Sequence, residues 1–195
     1  LTEALGLCLP GATALAMSGR KLAIAKRTGM QIMELYKKGI TAKQILTSEA
    51  IYNALSVDMA IGGSSNTMLH LSAICHEADL PFSFDEVEKI AAQVPHLVKL
   101  KPAGVHYPQD FDNAGGVTAL MNRLKEYGLL KDNLTVTGKT VFENIADAEV
   151  LDDEVIKTKE TAYSLTGGLK IMYGNLAKDG AVCKKAGVEP SMYHH

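Results

Sequence analysis

Tryptophan is absent from this 195-residue sequence, only 6% of its residues are aromatic, and its three cysteines, Cys8, Cys75 and Cys183, stand far apart. An odd cysteine count without a C-x-x-C pair argues against a secreted disulfide framework and for a reducing, cytoplasmic setting. A cysteine-only metal site would need all three to converge, whereas a free cysteine ordinarily serves as a small buried hydrophobe. An excess of one charge is missing too, with 20 Lys and Arg against 22 Asp and Glu and a net charge of -2. Nothing basic is left over to hold a phosphate backbone, so no nucleic-acid partner is expected. The charge-free stretch Leu5–Gly19 is interrupted by Pro10 and Gly11. It is too short and too broken to cross a bilayer, and no charged segment precedes it as in a secretory signal. What remains is ordinary globular composition, 47% hydrophobic and 22% charged, enough for one good core or two small ones. The sequence opens at Leu1 without a methionine, in residues (Leu1 to Leu5) that read as helix, and a piece of a longer protein is expected.

Helical signals dominate as far as about Asp153. Leu22, Ala25, Gly29, Ile32, Met33 and Tyr36 follow helical spacing, and Gly39 ends that run. Thr41 to Gln44, Ser83 to Glu86 and Thr140 to Glu143 read as capping boxes, the first two stapled by Ile40 with Ile45 and by Phe82 with Val87. Ile51, Leu55 and Met59 mark a helix from Ser48 to the Gly62-Gly63 pair, and Met68 to Ala78 another. A segment from Pro108 leads to a helix through Leu120 and Leu124. Leu134–Val136 is a short strand candidate. Near Lys157 the character changes: Leu169, Ile171 and Tyr173 alternate as on a half-buried strand, and Asp179-Gly180 is a turn signal before Ala181-Val182-Cys183. The expected organisation is residues 1–155 as the helix-rich second part of an α/β domain. Residues 156–195 would form a linker and the opening strands of a β-barrel domain.

Candidate chemistry concentrates in Gly62-Gly63-Ser64-Ser65-Asn66-Thr67. Two glycines leave room beside the backbone, and hydroxyls and an amide then sit at a helix start, where free N–H groups and the positive dipole end favour a carboxylate or phosphate. The alternative is a helix–turn–helix connection whose Ser or Asn merely caps the next helix. Asp58, the acid adjoining the two glycines, is either part of such a site or a plain exposed residue. His70, Cys75 and His76 point in different directions around a helix and make no metal site. Ala114-Gly115-Gly116-Val117 lacks the spacing of a phosphate loop and reads as close helix packing. Asp152-Asp153-Glu154 reads as solvated surface, and His194 and His195 carry no chemistry.

Several phrases occur together and in order: Leu1 to Leu7 with Leu9-Pro10-Gly11; Ala60 to Leu71; Ala114 to Val117; and Gly174-Asn175-Leu176-Ala177 followed by Asp179-Gly180-Ala181-Val182 and Ala186-Gly187-Val188. From end to end the sequence resembles the dihydroxy-acid dehydratase and phosphogluconate dehydratase family. The resemblance implies a hydro-lyase that removes water from a 2,3-dihydroxy carboxylic acid to give a 2-keto acid. It also implies an iron–sulfur cluster and Mg²⁺ bound between an α/β and a β-barrel domain, and a homodimer in the full-length enzyme. Within the family, dihydroxy-acid dehydratase of branched-chain amino-acid synthesis is the first expectation, and a sugar-acid dehydratase (6-phosphogluconate or aldonate) the alternative. A non-catalytic binding module is the alternative of another class.

Carried over residue by residue, the resemblance places the cluster cysteines and most Mg²⁺ ligands before Leu1, and another metal acid and the serine base beyond His195. No catalytic residue and no metal ligand are therefore expected within the chain. Ser64, Ser65, Asn66 and Thr67 are the candidate substrate-binding residues, with Gly62 and Gly63 allowing backbone approach.

Overall fold

The computed structural model describes residues 1–12 and 18–193, with Pro190 and Tyr193 described in backbone only. Helix α3 (Ser48–Ala60) is the central column. Ala50, Ile51 and every residue from Asn53 to Ala60 are buried, as a helix that is apolar nearly all round must be. Against it pack α4 (Asn66–Glu77), α5 (Phe84–Gln93) and α7 (Gly116–Glu126). Met59, Leu71, Val87, Leu97, Leu120, Leu124, Ile156 and Leu169 lie fully inside.

Local chemistry sets the helix ends. Helix α1 (Gly19–Lys38) starts at Ser18, whose hydroxyl accepts from Lys21 N, and stops at Gly39 in the left-handed conformation (φ 65°), a torsion that glycine adopts at little cost. Helices α2 (Ala42–Ile45) and α8 (Val141–Asn144) carry reciprocal capping boxes from Thr41 with Gln44 and Thr140 with Glu143. At α5 only half of the expected box forms: Ser83 accepts from Glu86 N, while the Glu86 carboxylate turns to Lys89. Helix α6 (Pro108–Asn113) precedes Gly115, where a Cβ would sit 2.5 Å from both Ala119 Cβ and Glu149 O. Close packing is therefore what the Ala114–Val117 phrase provides.

Three local expectations change. Leu1 to Leu5 is a turn and not a helix: a single Leu5 N to Leu1 O bond forms before Gly6 takes φ 75° and gives its carbonyl to Val136 N. Leu134–Val136 makes one bridge, Leu134 with Thr140, and no strand. There Thr135 Oγ1 donates to Lys139 O and accepts from Asn144 Nδ2, so side chains take the place of a ladder. The apolar stripe of α1 faces outward, with Leu22 74% and Tyr36 80% exposed, and the helix buries only Ile24 and Leu35.

Beyond the helices, β1 (Lys170–Met172) pairs antiparallel with β2 (Ala181–Cys183), Ile171 opposite Val182. The fold is thus helix-rich with one short C-terminal antiparallel sheet among the described residues. The hairpin lies against α5, with Leu169 and Ile171 buried and Ile171 N donating to Glu88 Oε1 at 2.5 Å. Asp152, Asp153 and Glu154 are exposed as expected, though Asp153 also pairs at 2.7 Å with the mostly buried Arg123. No helix among the described residues is long and apolar enough to cross a membrane.

Candidate functional site

Helix α3 ends inside the molecule, so whatever follows it must satisfy its last carbonyls without water. Ala60 O accepts from Leu97 N (2.8 Å) and Val98 N (3.0 Å), and Met59 O from Gly168 N (2.9 Å). The segment after α5 and the segment before β1 are both tied to this one helix end. His96 is also bridged to Ser164, with His96 N donating to Ser164 O and Tyr163 N to His96 O. Ala186 N then donates to Gly168 O (2.9 Å), which brings the turn after β2 onto the same spot.

The loop Gly62 to Thr67 emerges here, and its residues divide by direction. Thr67 is buried and donates from Oγ1 to Asp58 Oδ1 at 3.0 Å. It is a strut within the loop and offers ligand no surface. The glycines also face inward. A Cβ on Gly63 would lie 1.7 Å from Asp58 Oδ1, and one on Gly62, which holds φ 60°, 2.5 Å from His96 Nε2 and 2.7 Å from Ala186 Cβ. Backbone approach at both glycines is taken up by the chain's own side chains. Ser64, Ser65 and Asn66 are exposed. Ser64 Oγ accepts from Asn66 N (3.3 Å), and Ser65, at the N-cap of α4, makes no side-chain cap bond. The hydroxyl of Ser65 is thus not used to hold the helix.

Two residues outside the expected set dominate the electrostatics. Asp58 is 2% exposed, which decides its open reading in favour of a buried acid. Desolvation pushes its carboxyl up to about 6 against the opposing hydrogen bonds from Thr67 and the Ser64 backbone. His96, 4% exposed, is held down to about 4, chiefly by burial and further by the nearby Lys99, Lys185 and Lys184. Asp58 Oδ2 and His96 Nε2 are buried without hydrogen-bond partners among the described residues, an uncommon state for which buried polar groups need a reason. The signal for His96 lay in the sequence, a lone histidine in the apolar run Val94 to Val98. For Asp58 it was one acid inside an apolar helix.

His70 and His76 are exposed while Cys75 is fully buried, so this trio does not converge. His194 and His195 lie outside the described residues.

Residues 1–144 match the family described as Dihydroxy-acid/6-phosphogluconate dehydratase N-terminal, and residues 154–195 match its C-terminal counterpart. The chain belongs to the dihydroxy-acid/6-phosphogluconate dehydratase family. It is 51% identical, over its whole length, to proteins named dihydroxy-acid dehydratase from Clostridium novyi and Caldanaerobacter subterraneus. To the one from Ignicoccus hospitalis it is 46% identical over 99% of its length. The chain spans about a third of these dehydratases, 35–36% of their length.

Cys8 and Cys75 do not fit the iron–sulfur cluster that the dehydratase family resemblance implies. Cluster binding needs accessible thiolates. Cys75 is fully buried, with its thiol pushed up by desolvation, and burial and the nearby Glu3 push Cys8 up to about 11. Among the described residues, no group of three or more His, Cys, Asp or Glu side chains is placed to hold a metal ion.

Proposed function

We propose that the full-length protein containing this chain is a hydro-lyase that dehydrates 2,3-dihydroxy carboxylic acids to 2-keto acids. Its proposed place is branched-chain amino-acid synthesis in the cytoplasm. The relatives' printed activity, carried over at 51% identity across the whole chain, supports this reading over the sugar-acid dehydratases that share the family description. An iron–sulfur cluster and Mg²⁺ belong to the same proposal, held by residues outside this chain, and no step is derived through them. The domain boundary is placed at residues 155 and 156, and the full-length enzyme is proposed to be a homodimer.

The observation that carries the chain's own role is the outward set Ser64, Ser65 and Asn66 at the start of α4, pinned from beneath by Asp58 and Thr67. A substrate carboxylate seated there gains charge-assisted hydrogen bonds from hydroxyl and amide groups and lies at the positive end of a 12-residue helix. The residues act by binding and orientation, and the proton and the leaving hydroxyl are handled elsewhere. Ser65→Ala in the full-length enzyme tests this. Its hydroxyl holds no cap, so the melting temperature should stay put. Substrate affinity should fall about tenfold or more, for a lost hydrogen bond to a charged group of roughly 1.5–3 kcal/mol. Unchanged kcat/KM in a normally folded variant would remove Ser65 from the substrate site.

A further inference from the structure

A cleft of about 310 Å³ opens beside Gly168, lined by His96, Lys99, Tyr163, Ser164 and Lys185 together with Gly167, Gly168, Ala186 and Val188. Its size is at the lower end for small-molecule pockets. Three separate stretches build it: the segment after α5, the segment before β1, and the 3-10 turn Lys185–Gly187 after β2. Its composition is one-sided. Two lysines and a hydroxyl face it, a third lysine, Lys184, is close enough to act on His96, and no carboxylate lines it among the described residues.

Lys185 is oriented and not merely nearby. Lys185 Nζ donates to Ser164 Oγ (3.1 Å) and to Thr166 Oγ1 (2.7 Å), which fixes its ammonium at the cleft wall. Lys99 Nζ lies 6.0 Å from the Tyr163 ring centre, and that ring stands 5.4 Å from His96; Lys157, 5.3 Å from the same ring, is paired with Glu154 at 3.4 Å. Lys99 and Lys185 put positive charge at the cleft wall, and positive potential in a cleft attracts an anion. The second, independent observation is His96, 4% exposed, with Nε2 buried and without a partner among the described residues. It is a neutral imidazole lining a cationic cleft, with Nε2 turned towards Gly62, where an added Cβ would lie 2.5 Å from it.

We propose that this cleft is a second ligand site, distinct from the Ser64–Asn66 surface, which takes an oxyanion group, phosphate ester or carboxylate, of a small metabolite. Lys99 and Lys185 supply charge-assisted hydrogen bonds, and Ser164 supplies a neutral one. Gly168 closes the floor by direct backbone packing: a Cβ there would lie 2.3 Å from Gly62 Cα and 3.1 Å from Ala186 Cβ. Nothing in the proposal depends on the dehydratase reading.

The test is an NMR titration of isotope-labelled chain with inorganic phosphate and, separately, with acetate, each at ionic strength held constant with chloride. Saturable shifts are expected at the His96 ring and at Gly167 and Gly168. His96, held near 4 by burial and by Lys99, Lys185 and Lys184, should titrate higher once the anion offsets the lysines. Lys99→Met and Lys185→Met should each weaken binding about tenfold, with the far-UV spectrum unchanged. Tighter saturation by phosphate assigns the natural group to a phosphate ester, and by acetate to a carboxylate. Shifts that follow ionic strength alone, or binding that both variants leave intact, would overturn the site.

Discussion

Asp58→Asn should make the chain more stable at neutral pH and make its stability fall more steeply on acidification, and both effects follow from two opposed titrations beside one loop. The Asp58 carboxyl is raised from 3.8 to about 6 in the folded chain. Below pH 3.8 both states hold the proton. Between 3.8 and 6 the unfolded chain releases it while the folded chain keeps it, so stability falls as pH rises, by about 3 kcal/mol in all. His96 runs the other way, lowered from 6.5 to about 4. As pH falls from 6.5 to 4 the unfolded chain takes up a proton that the folded chain refuses, so stability falls with decreasing pH, again by about 3 kcal/mol. Between pH 4 and 6 the two contributions largely cancel in the native sequence.

Asparagine keeps an oxygen for Thr67 Oγ1 and the Ser64 N–H but carries no charge to bury. The variant should therefore gain up to about 3 kcal/mol at pH 7 and expose the His96 slope below pH 6.5. Urea unfolding followed by far-UV circular dichroism from pH 4 to 8 reads both, and the difference between native and variant isolates Asp58 from exposed acids such as Glu34 and Asp79. An Asp58→Asn chain that is less stable than the native one at pH 7 would refute the reasoning. It would mean that the ionised carboxylate, anchored by Thr67, is a net stabiliser of the loop.

Gly63→Ala places a Cβ 1.7 Å from Asp58 Oδ1 and should cost about 1–3 kcal/mol as overpacking, read as a lower melting temperature. Combined with Asp58→Ala the loss should be less than additive, and strict additivity would locate the clash elsewhere. Leu22→Glu with Met33→Glu on the exposed face of α1 should reduce self-association in sedimentation without changing helix content. Equal sedimentation of native and variant chains would separate that face from the proposed dimer.

What was legible in the sequence was mostly local. The boxes at Thr41 and Thr140 and the stop at Gly39 formed as read, because each needs only residues within one turn of chain. At Ser83 the box half-failed since Glu86 had a competing partner in Lys89, three residues on along the same helix face. Leu134–Val136 has strand composition, but Thr135 and Asn144 offered its backbone another set of hydrogen bonds. The loop Gly62 to Thr67 was found by composition, yet its division into an inward and an outward half depends on Asp58 and His96. Asp58 was in view as an open candidate, but the burial of both residues was not legible because burial belongs to the assembled fold. Nothing local says that α3 ends in the interior, or that a histidine after α5 meets a glycine after α3. Family membership was legible through whole phrases, which need no knowledge of burial.

Gly62 and Gly168 meet with no side chain between them, and backbone hydrogen bonds from Gly168, Leu97, Val98 and Ala186 converge around that contact. Meanwhile the connection through Asp152–Glu154 lies on the surface. A protease that nicks this connection should therefore leave two pieces that elute together under native conditions and part only in denaturant. In engineering terms, the covalent link between the two family-matched parts should prove dispensable in a way that the glycine seam does not. Split complementation at residues 152–154 should reconstitute the chain, whereas a single methyl group on Gly168 should prevent the halves from rejoining.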